Sequence, residues 1–290
     1  MALIENFQAS SLTAQFPDDL CFHLLGEFRA SLQGRSVLPS AAKPYQLLAL
    51  FALRSNEVMS GHLLMEELWG ENPPRSAKTT LQTYIFQIRR RLASASAEDG
   101  EVVSKLVLAT RHGGYILHVN SANVDTNIFE RQTMCGVRAL GAGRYDEAAQ
   151  KLAAALSIWE GQPLADVEVG MHSAVELARL NELHRSALEA WLVTELRRGN
   201  HLAILGDIVS LRAKDPFNEF FCGVAMNAFY DLGRVAESLS CYREISLLLR
   251  EELGVQPSAS LSALHRAILN GEPSTVRWAQ WRQLRQAATR

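Results

Sequence analysis

Between residues 76 and 93 the apolar side chains fall at Leu81, Ile85, Ile88 and Leu92. That spacing lines one face of an α-helix and leaves the other face polar. Two shorter helical stripes precede it. Pro44 stands near the start of one that carries Leu47, Leu48, Leu50, Phe51 and Leu53. Ser60 is placed to cap a second, with Leu63, Leu64, Leu68 and Trp69, which Glu71-Asn72-Pro73-Pro74 ends. Upstream, Cys21–Leu25, Glu27–Leu32 and Arg35–Leu38 read as short strands with a turn at Gln33-Gly34. Downstream, Lys105–Thr110 and Tyr115–Val119 read as strands flanking Arg111-His112-Gly113-Gly114, a hairpin with a glycine turn. Sheet, three helices and hairpin in this order predict an α+β winged helix-turn-helix domain over residues 20–120, behind a flexible leader of residues 1–19.

A polar stretch at 121–126 marks a boundary, after which the pattern is helical to about Asn270. Leu177, Leu180, Leu183, Leu188, Trp191, Leu192 and Leu196 predict one long helix, straight or bent. Gly143, Gly199 and Gly233 each mark a turn between helices, and the last two stand 34 residues apart, the tetratricopeptide period. The predicted fold is therefore mainly α. A winged helix-turn-helix is followed by an all-α, tetratricopeptide-like domain over 127–270 and a basic tail over 271–290. In that tail Trp278, Trp281 and Leu284 alternate with Arg277, Arg282, Arg285 and Arg290. It reads either as a frayed basic tail or as a short amphipathic helix that docks on the helical domain or on nucleic acid, and the cost of leaving two Trp in water tips the reading toward docking.

Composition adds a charge argument. The chain has 290 residues, is 48% hydrophobic and carries a net charge of −2, enough for two cores and no indication of a polyanion-binding protein as a whole. The charge is unevenly placed. No Asp or Glu lies between Glu71 and Glu98, while Arg75, Lys78, Arg89, Arg90 and Arg91 do, a local charge of +5. On the third helix Thr79, Thr80, Thr83, Tyr84, Gln87, Arg90 and Arg91 fall opposite the apolar stripe. These groups suit phosphates and base edges, and a major groove admits one α-helix. Arg111 and His112 at the hairpin tip add a second contact. Double-stranded DNA is the expected partner.

Other chemistries find no support in the pattern. Cys21, Cys135, Cys222 and Cys241 lack any metal-ligand spacing, and His172 and His184 stand in no HExxH. Neither Ser60 nor Ser186 has a Gly-x-Ser-x-Gly setting. No enzyme activity, metal or cofactor is expected. No apolar run reaches the ~18–20 residues a membrane span needs, and the first residues lack the basic and apolar regions of a signal peptide. Scattered reduced cysteines fit the cytoplasm.

The order of motifs resembles the Streptomyces antibiotic regulatory proteins, which join an OmpR-type winged helix (a two-component-type DNA-binding domain) to a bacterial transcriptional activator domain. The matching stretches are Phe22-His-Leu-Leu-Gly-Glu-Phe28, Lys43-Pro-Tyr-Gln-Leu-Leu48, Leu68-Trp-Gly-Glu-Asn-Pro-Pro-Arg-Ser-Ala77, Leu81 through Leu92, and Gly113-Gly-Tyr115. In the second half they are Phe129-Glu-Arg131, Ala155-Leu-Ser-Ile-Trp-Glu-Gly161, Pro163-Leu-Ala-Asp166, Arg179-Leu-Asn-Glu-Leu183, and Gly233 through Pro257. The resemblance implies an activator of specialised-metabolite (antibiotic) genes that binds promoter direct repeats as a homodimer and recruits RNA polymerase, with its sigma factor. It places DNA contacts at Thr79, Tyr84, Phe86, Gln87, Arg89 and Arg111, Phe86 standing where a basic residue is frequent. It places the polymerase contact on the loop Trp69–Ser76, through Trp69, Gly70, Glu71, Asn72 and Arg75. The ATPase module of larger relatives would need a GxxxxGK[ST], which the sequence lacks. The alternative reading is a helical-repeat adaptor or a small-molecule-responsive regulator acting mainly through protein contacts.

Overall fold

The short extended runs near the start pair with one another. In the computed structural model, which describes residues 17–96, 99–273 and 277, β1 (Leu20–His23), β2 (Arg29–Leu32) and β3 (Arg35–Ser36) form an antiparallel sheet in that order. Leu20 lies opposite Leu32 and Phe22 opposite Ala30, so alternate side chains meet on one buried face. Helices α1 (Ala42–Leu53), α2 (Gly61–Trp69) and α3 (Ala77–Ala95) follow. The Ser60 hydroxyl accepts from the Leu63 amide at 3.2 Å and starts α2 as expected. The two-residue strand β4 (Met59–Ser60) precedes α2 and pairs with β6 (Gly114–Leu117), which in turn pairs with β5 (Leu108–Arg111).

One expected strand is shorter at its start. Residues Gly100–Val107 form a helix, α4, and the hairpin begins only at Leu108. The Asp99 carboxylate accepts from the Val102 amide at 3.4 Å, and Lys105 reaches back one turn to Glu101 at 2.7 Å. A cap and an i,i+4 ion pair carry the helix through Lys105, Leu106 and Val107, which read in the sequence as the start of the strand.

The chain packs into two compact units, Met1–Val137 with Lys151–Leu188, and Arg138–Gln150 with Glu189–Arg290. In the first, Leu48, Phe51, Leu64, Leu81, Ile85 and Leu117 share one core with the sheet residues. Carboxylates from distant parts of the chain close it. Stretch 121–126, expected as a polar boundary, is built into this unit. Ser121–Asn123 is a 3-10 turn, Val124 bridges Phe22, and the buried Asp125 begins α5 (Asp125–Gly141). Its carboxylate accepts from the Leu24 and Leu25 amides at 2.7 and 3.0 Å. Burial raises the Asp125 pKa against the opposing pull of the Leu25, Leu24 and Thr126 amides.

Two more acids act alike. Asp166 accepts from the Phe28 amide at 2.7 Å and from the Tyr45 hydroxyl. Glu67, buried near the end of α2, faces the start of α7 (Met171–Arg197). It accepts from the amides of Gly170 (3.1 Å), His172 (2.8 Å) and Ser173 (3.2 Å), and from the Ser173 hydroxyl at 2.5 Å. These are the otherwise unpaired donors of a helix N-terminus. The approach is so close that a Cβ on Gly170 would stand 2.3 Å from the Glu67 carbonyl oxygen. Only glycine fits there.

The second unit is built from helix pairs. It contains α8 (His201–Lys214), α9 (Glu219–Asp231), α10 (Val235–Leu248) and α11 (Ala259–Leu269), with a π-helical turn at Leu249–Leu253. The chain enters it through the end of α5 and the start of α6 (Tyr145–Leu156) and returns through the end of α7. The three expected glycine turns are present. Gly143, Gly199 and Gly233 have φ of +74°, +78° and +77°. At Gly233 the amide donates to Tyr230 O at 2.9 Å and the Arg234 amide to Phe229 O at 2.8 Å. The same pair of bonds recurs at Gly143 and Gly199. This is the Schellman closure, and its left-handed residue explains why glycine recurs. Helix α9 is buried along most of its length, including Phe220, Val224 and Met226.

Of the basic tail, Arg277 is described. Its guanidinium is buried against α9, paired with Asp231 and lying 4.2 Å over the Tyr230 ring. Trp278, Trp281 and Leu284 lie outside the described residues, as does the leader as far as residue 16.

Candidate nucleic-acid interface

The apolar stripe of α3 does what its spacing predicts. Ala77, Leu81, Ile85, Ile88 and Leu92 are buried. Burying that stripe leaves Lys78, Thr79, Gln82, Thr83, Phe86, Gln87, Arg90 and Arg91 exposed, with Thr80, Tyr84 and Arg89 half-buried. Among the described residues no ion pair engages Arg75, Lys78, Arg90, Arg91 or Arg111. The face is thus cationic and unneutralised.

Two residues of the predicted set sit at its flanks. Arg89 turns toward the hairpin. Its Nε and Nη2 donate to Leu108 O at 2.9 and 2.7 Å, and Nη2 also reaches Thr110 Oγ1 at 3.0 Å. Burial lowers its pKa. Arg89 therefore fastens α3 to β5. Tyr84 stacks on Trp69, centroids 6.2 Å apart and planes at 27°. That contact ties α3 to the end of α2 and fixes the base of the loop that follows. Beyond Trp69, residues Gly70, Glu71, Asn72 and Arg75 are all exposed.

Thr79 and Thr83 are coupled, the Thr83 hydroxyl donating to Thr79 O at 3.1 Å. Thr80 Oγ1 lies 3.4 Å from Ser76 Oγ. The hairpin tip presents Arg111 and His112 to solvent, and the chain reverses there with φ of +30° at His112 and +82° at Gly113. Helix face, loop and hairpin tip all belong to the first unit. Sequence reasoning placed these residues together and missed the bracing role of Arg89, whose signal would have been a hairpin strand packed beside the helix end.

No helix among the described residues is long and apolar enough to cross a membrane. Among the same residues no group of His, Cys, Asp and Glu is arranged to hold a metal ion.

Comparison with known proteins points the same way. Residues 35–117 match the C-terminal domain of transcriptional regulatory proteins, and residues 124–269 match the bacterial transcriptional activator domain. The chain is 40% identical over 255 residues to the regulatory protein DnrI of Streptomyces peucetius, covering 88% of this chain and 94% of that one. It is 32% identical over 245 residues to the transcriptional regulator RedD of Streptomyces coelicolor, covering 84% and 69%. Among solved structures, Mycobacterium tuberculosis EmbR in complex with a low-affinity phosphopeptide superposes with a TM-score of 0.82 at 26% identity, covering 93% of this chain and 70% of that one. With both domains matched in order and DnrI matched almost end to end, the chain belongs to the Streptomyces antibiotic regulatory protein family, whose members are transcriptional regulators and not enzymes.

Proposed function

We propose that this protein is a sequence-specific DNA-binding activator that places α3 in the major groove and the β5–β6 tip against the adjacent backbone. The observation that carries the reading is the outward face of α3. It joins hydrogen-bonding Thr79, Thr83 and Gln87 to unpaired Arg90 and Arg91 and holds no acidic group. Such a face supplies both a sequence-independent phosphate attraction and side chains for base edges. In this reading Gln87 reads a base, Arg75, Lys78, Arg90, Arg91 and Arg111 anchor phosphates, and Arg89 and Tyr84 hold the helix at its angle. Two copies on a direct repeat, a homodimer on DNA, would expose two Trp69–Ser76 loops to RNA polymerase and its sigma factor. Descent from the same family as DnrI supports control of a specialised-metabolite gene cluster.

Footprinting on the promoters flanking the protein's own gene tests it, followed by titration across salt concentrations. Real phosphate contacts make log K fall linearly with log[salt]. Arg90→Ala or Arg91→Ala should each lower that slope by about one unit on every sequence. Gln87→Ala should cost about 1–3 kcal/mol on the cognate site alone. No protected site, or a flat salt dependence, would favour a helical-repeat adaptor that works through protein contacts.

A further inference from the structure

Phe86 is 63% exposed and is the large apolar side chain that α3 leaves in water. Single exposed apolar residues are ordinary on protein surfaces. The position of this one is not. The buried residues Leu81, Ile85, Ile88 and Leu92 fix the direction of the core. At about 100° per residue, Thr79, Thr83 and Arg90 lie most nearly opposite it, with Phe86 and Gln87 about 50° to either side. Phe86 therefore lies on the outward face, to one side of its midline, one turn beyond Thr83 and one turn before Arg90 along the helix axis.

Its surroundings leave it one kind of contact. The flanks are engaged elsewhere, Tyr84 on Trp69 and Arg89 on the hairpin. Helical side chains lean toward the N-terminus, so the ring covers the turn of Gln82 and Thr83. The Thr83 donor is used within the helix. A phenyl ring brings no charge and no hydrogen bond, so it cannot take a phosphate or a polar base edge. The major groove offers one apolar group, the 5-methyl of thymine.

We propose that Phe86 is a specificity-determining residue that reads a thymine through its 5-methyl group. The inference rests on the placement of α3 in the major groove. Replacing thymine by deoxyuridine removes that methyl and changes no hydrogen bond. In a duplex carrying the footprinted site, each thymine is replaced singly, and binding is measured for the full-length wild type, Phe86→Ala and Phe86→Leu. At one thymine per half-site the wild type should bind about 3- to 10-fold more weakly to uracil. Phe86→Ala should bind both equally, and Phe86→Leu should keep part of the difference. Because Phe86 is exposed, both variants should melt with the wild type. The assignment is overturned if no thymine position is sensitive in the wild type, or if both variants keep the full wild-type sensitivity. If Phe86→Ala binds too weakly to profile, Phe86→Leu decides, a flattened profile supporting the assignment and an unchanged one overturning it. A wild-type chain that protects no site overturns the major-groove reading instead, and the footprint shows that before any thymine is replaced.

Discussion

The two units of the molecule are held together by different means. In the first, carboxylates, two of them buried, reach backbone donors a hundred or more residues away. Asp125 serves Leu24 and Leu25, Asp166 serves Phe28, and Glu67 serves Gly170, His172 and Ser173. In the second, the helix ends close locally, and the longer links, such as Arg198 to Asp146 and Arg277 to Asp231, join side chains 52 and 46 residues apart. Schellman bonds at Gly143, Gly199 and Gly233 span three to five residues, and ion pairs such as Arg198 with Glu195 lie one helical turn apart. A helix-pair array buries its faces against sequence neighbours and needs only turns to stop each helix. A winged helix has a mixed sheet-and-helix core whose loop amides have no neighbour to pair with. Distant acids supply the missing acceptors, and each is costly to lose.

This contrast can be broken most directly at Glu67. Glu67→Ala leaves three amides and one hydroxyl without their acceptor in a buried site and should cost about 3–5 kcal/mol. Chemical denaturation would show it, and Glu67→Gln should recover part of the loss. Asp125→Ala should cost about 2–4 kcal/mol by the same measurement, because the Leu24 and Leu25 amides lose their partner.

Asp125 also has a pH signature. Its folded pKa is raised by burial above the ordinary value of 3.8, so the native state takes up its proton first on acidification. The charged form therefore subtracts stability above the folded pKa, and that cost disappears as pH falls toward the unfolded value. Asp125→Asn should remove this contribution to the pH dependence while being tolerated better than Ala.

The second unit should respond more mildly. Gly233→Ala meets nothing within 4 Å of the added Cβ, so only the left-handed backbone at φ +77° resists it. The expected cost is about 1–2 kcal/mol, read as a lowered melting temperature. Smallest of all, Glu244→Gln at the half-exposed pair with Arg212 should change stability by less than about 1 kcal/mol. If Glu244→Gln cost as much as Glu67→Ala, the contrast between the units would be wrong.

The same contrast explains what the sequence made legible. The stripe of α3, the cap at Ser60, the hairpin tip and the three glycine turns are written in spacings of a few residues, and the structure places them as read. The acids were not legible. Nothing local distinguishes Glu67 from the adjacent Glu66, since its partners lie beyond residue 169. Stretch 121–126 reads as a boundary because it is polar, yet Asp125 is buried as the acceptor of the Leu24 and Leu25 amides. Helix α4 was not legible because its last residues, Lys105–Val107, run directly into the hairpin strand and read as part of it. At the candidate site, the family resemblance places Arg89 among the DNA contacts, and the periodicity leaves it off the polar face. The hairpin strand that recruits it lies 19 residues away.

The reach of Glu67, Asp125 and Asp166 bears on how such regulators exchange parts during evolution. A crossover placed just after the hairpin would separate Leu24, Leu25 and Phe28 from Asp125 and Asp166, and Glu67 from the start of α7. The hybrid would inherit unmatched acids and amides on both sides of the joint. A crossover past Ser173 carries every one of those pairs across together. The portable piece is therefore the winged helix along with the opening third of the activator domain, and exchange of DNA specificity between relatives should leave its scars downstream of that serine.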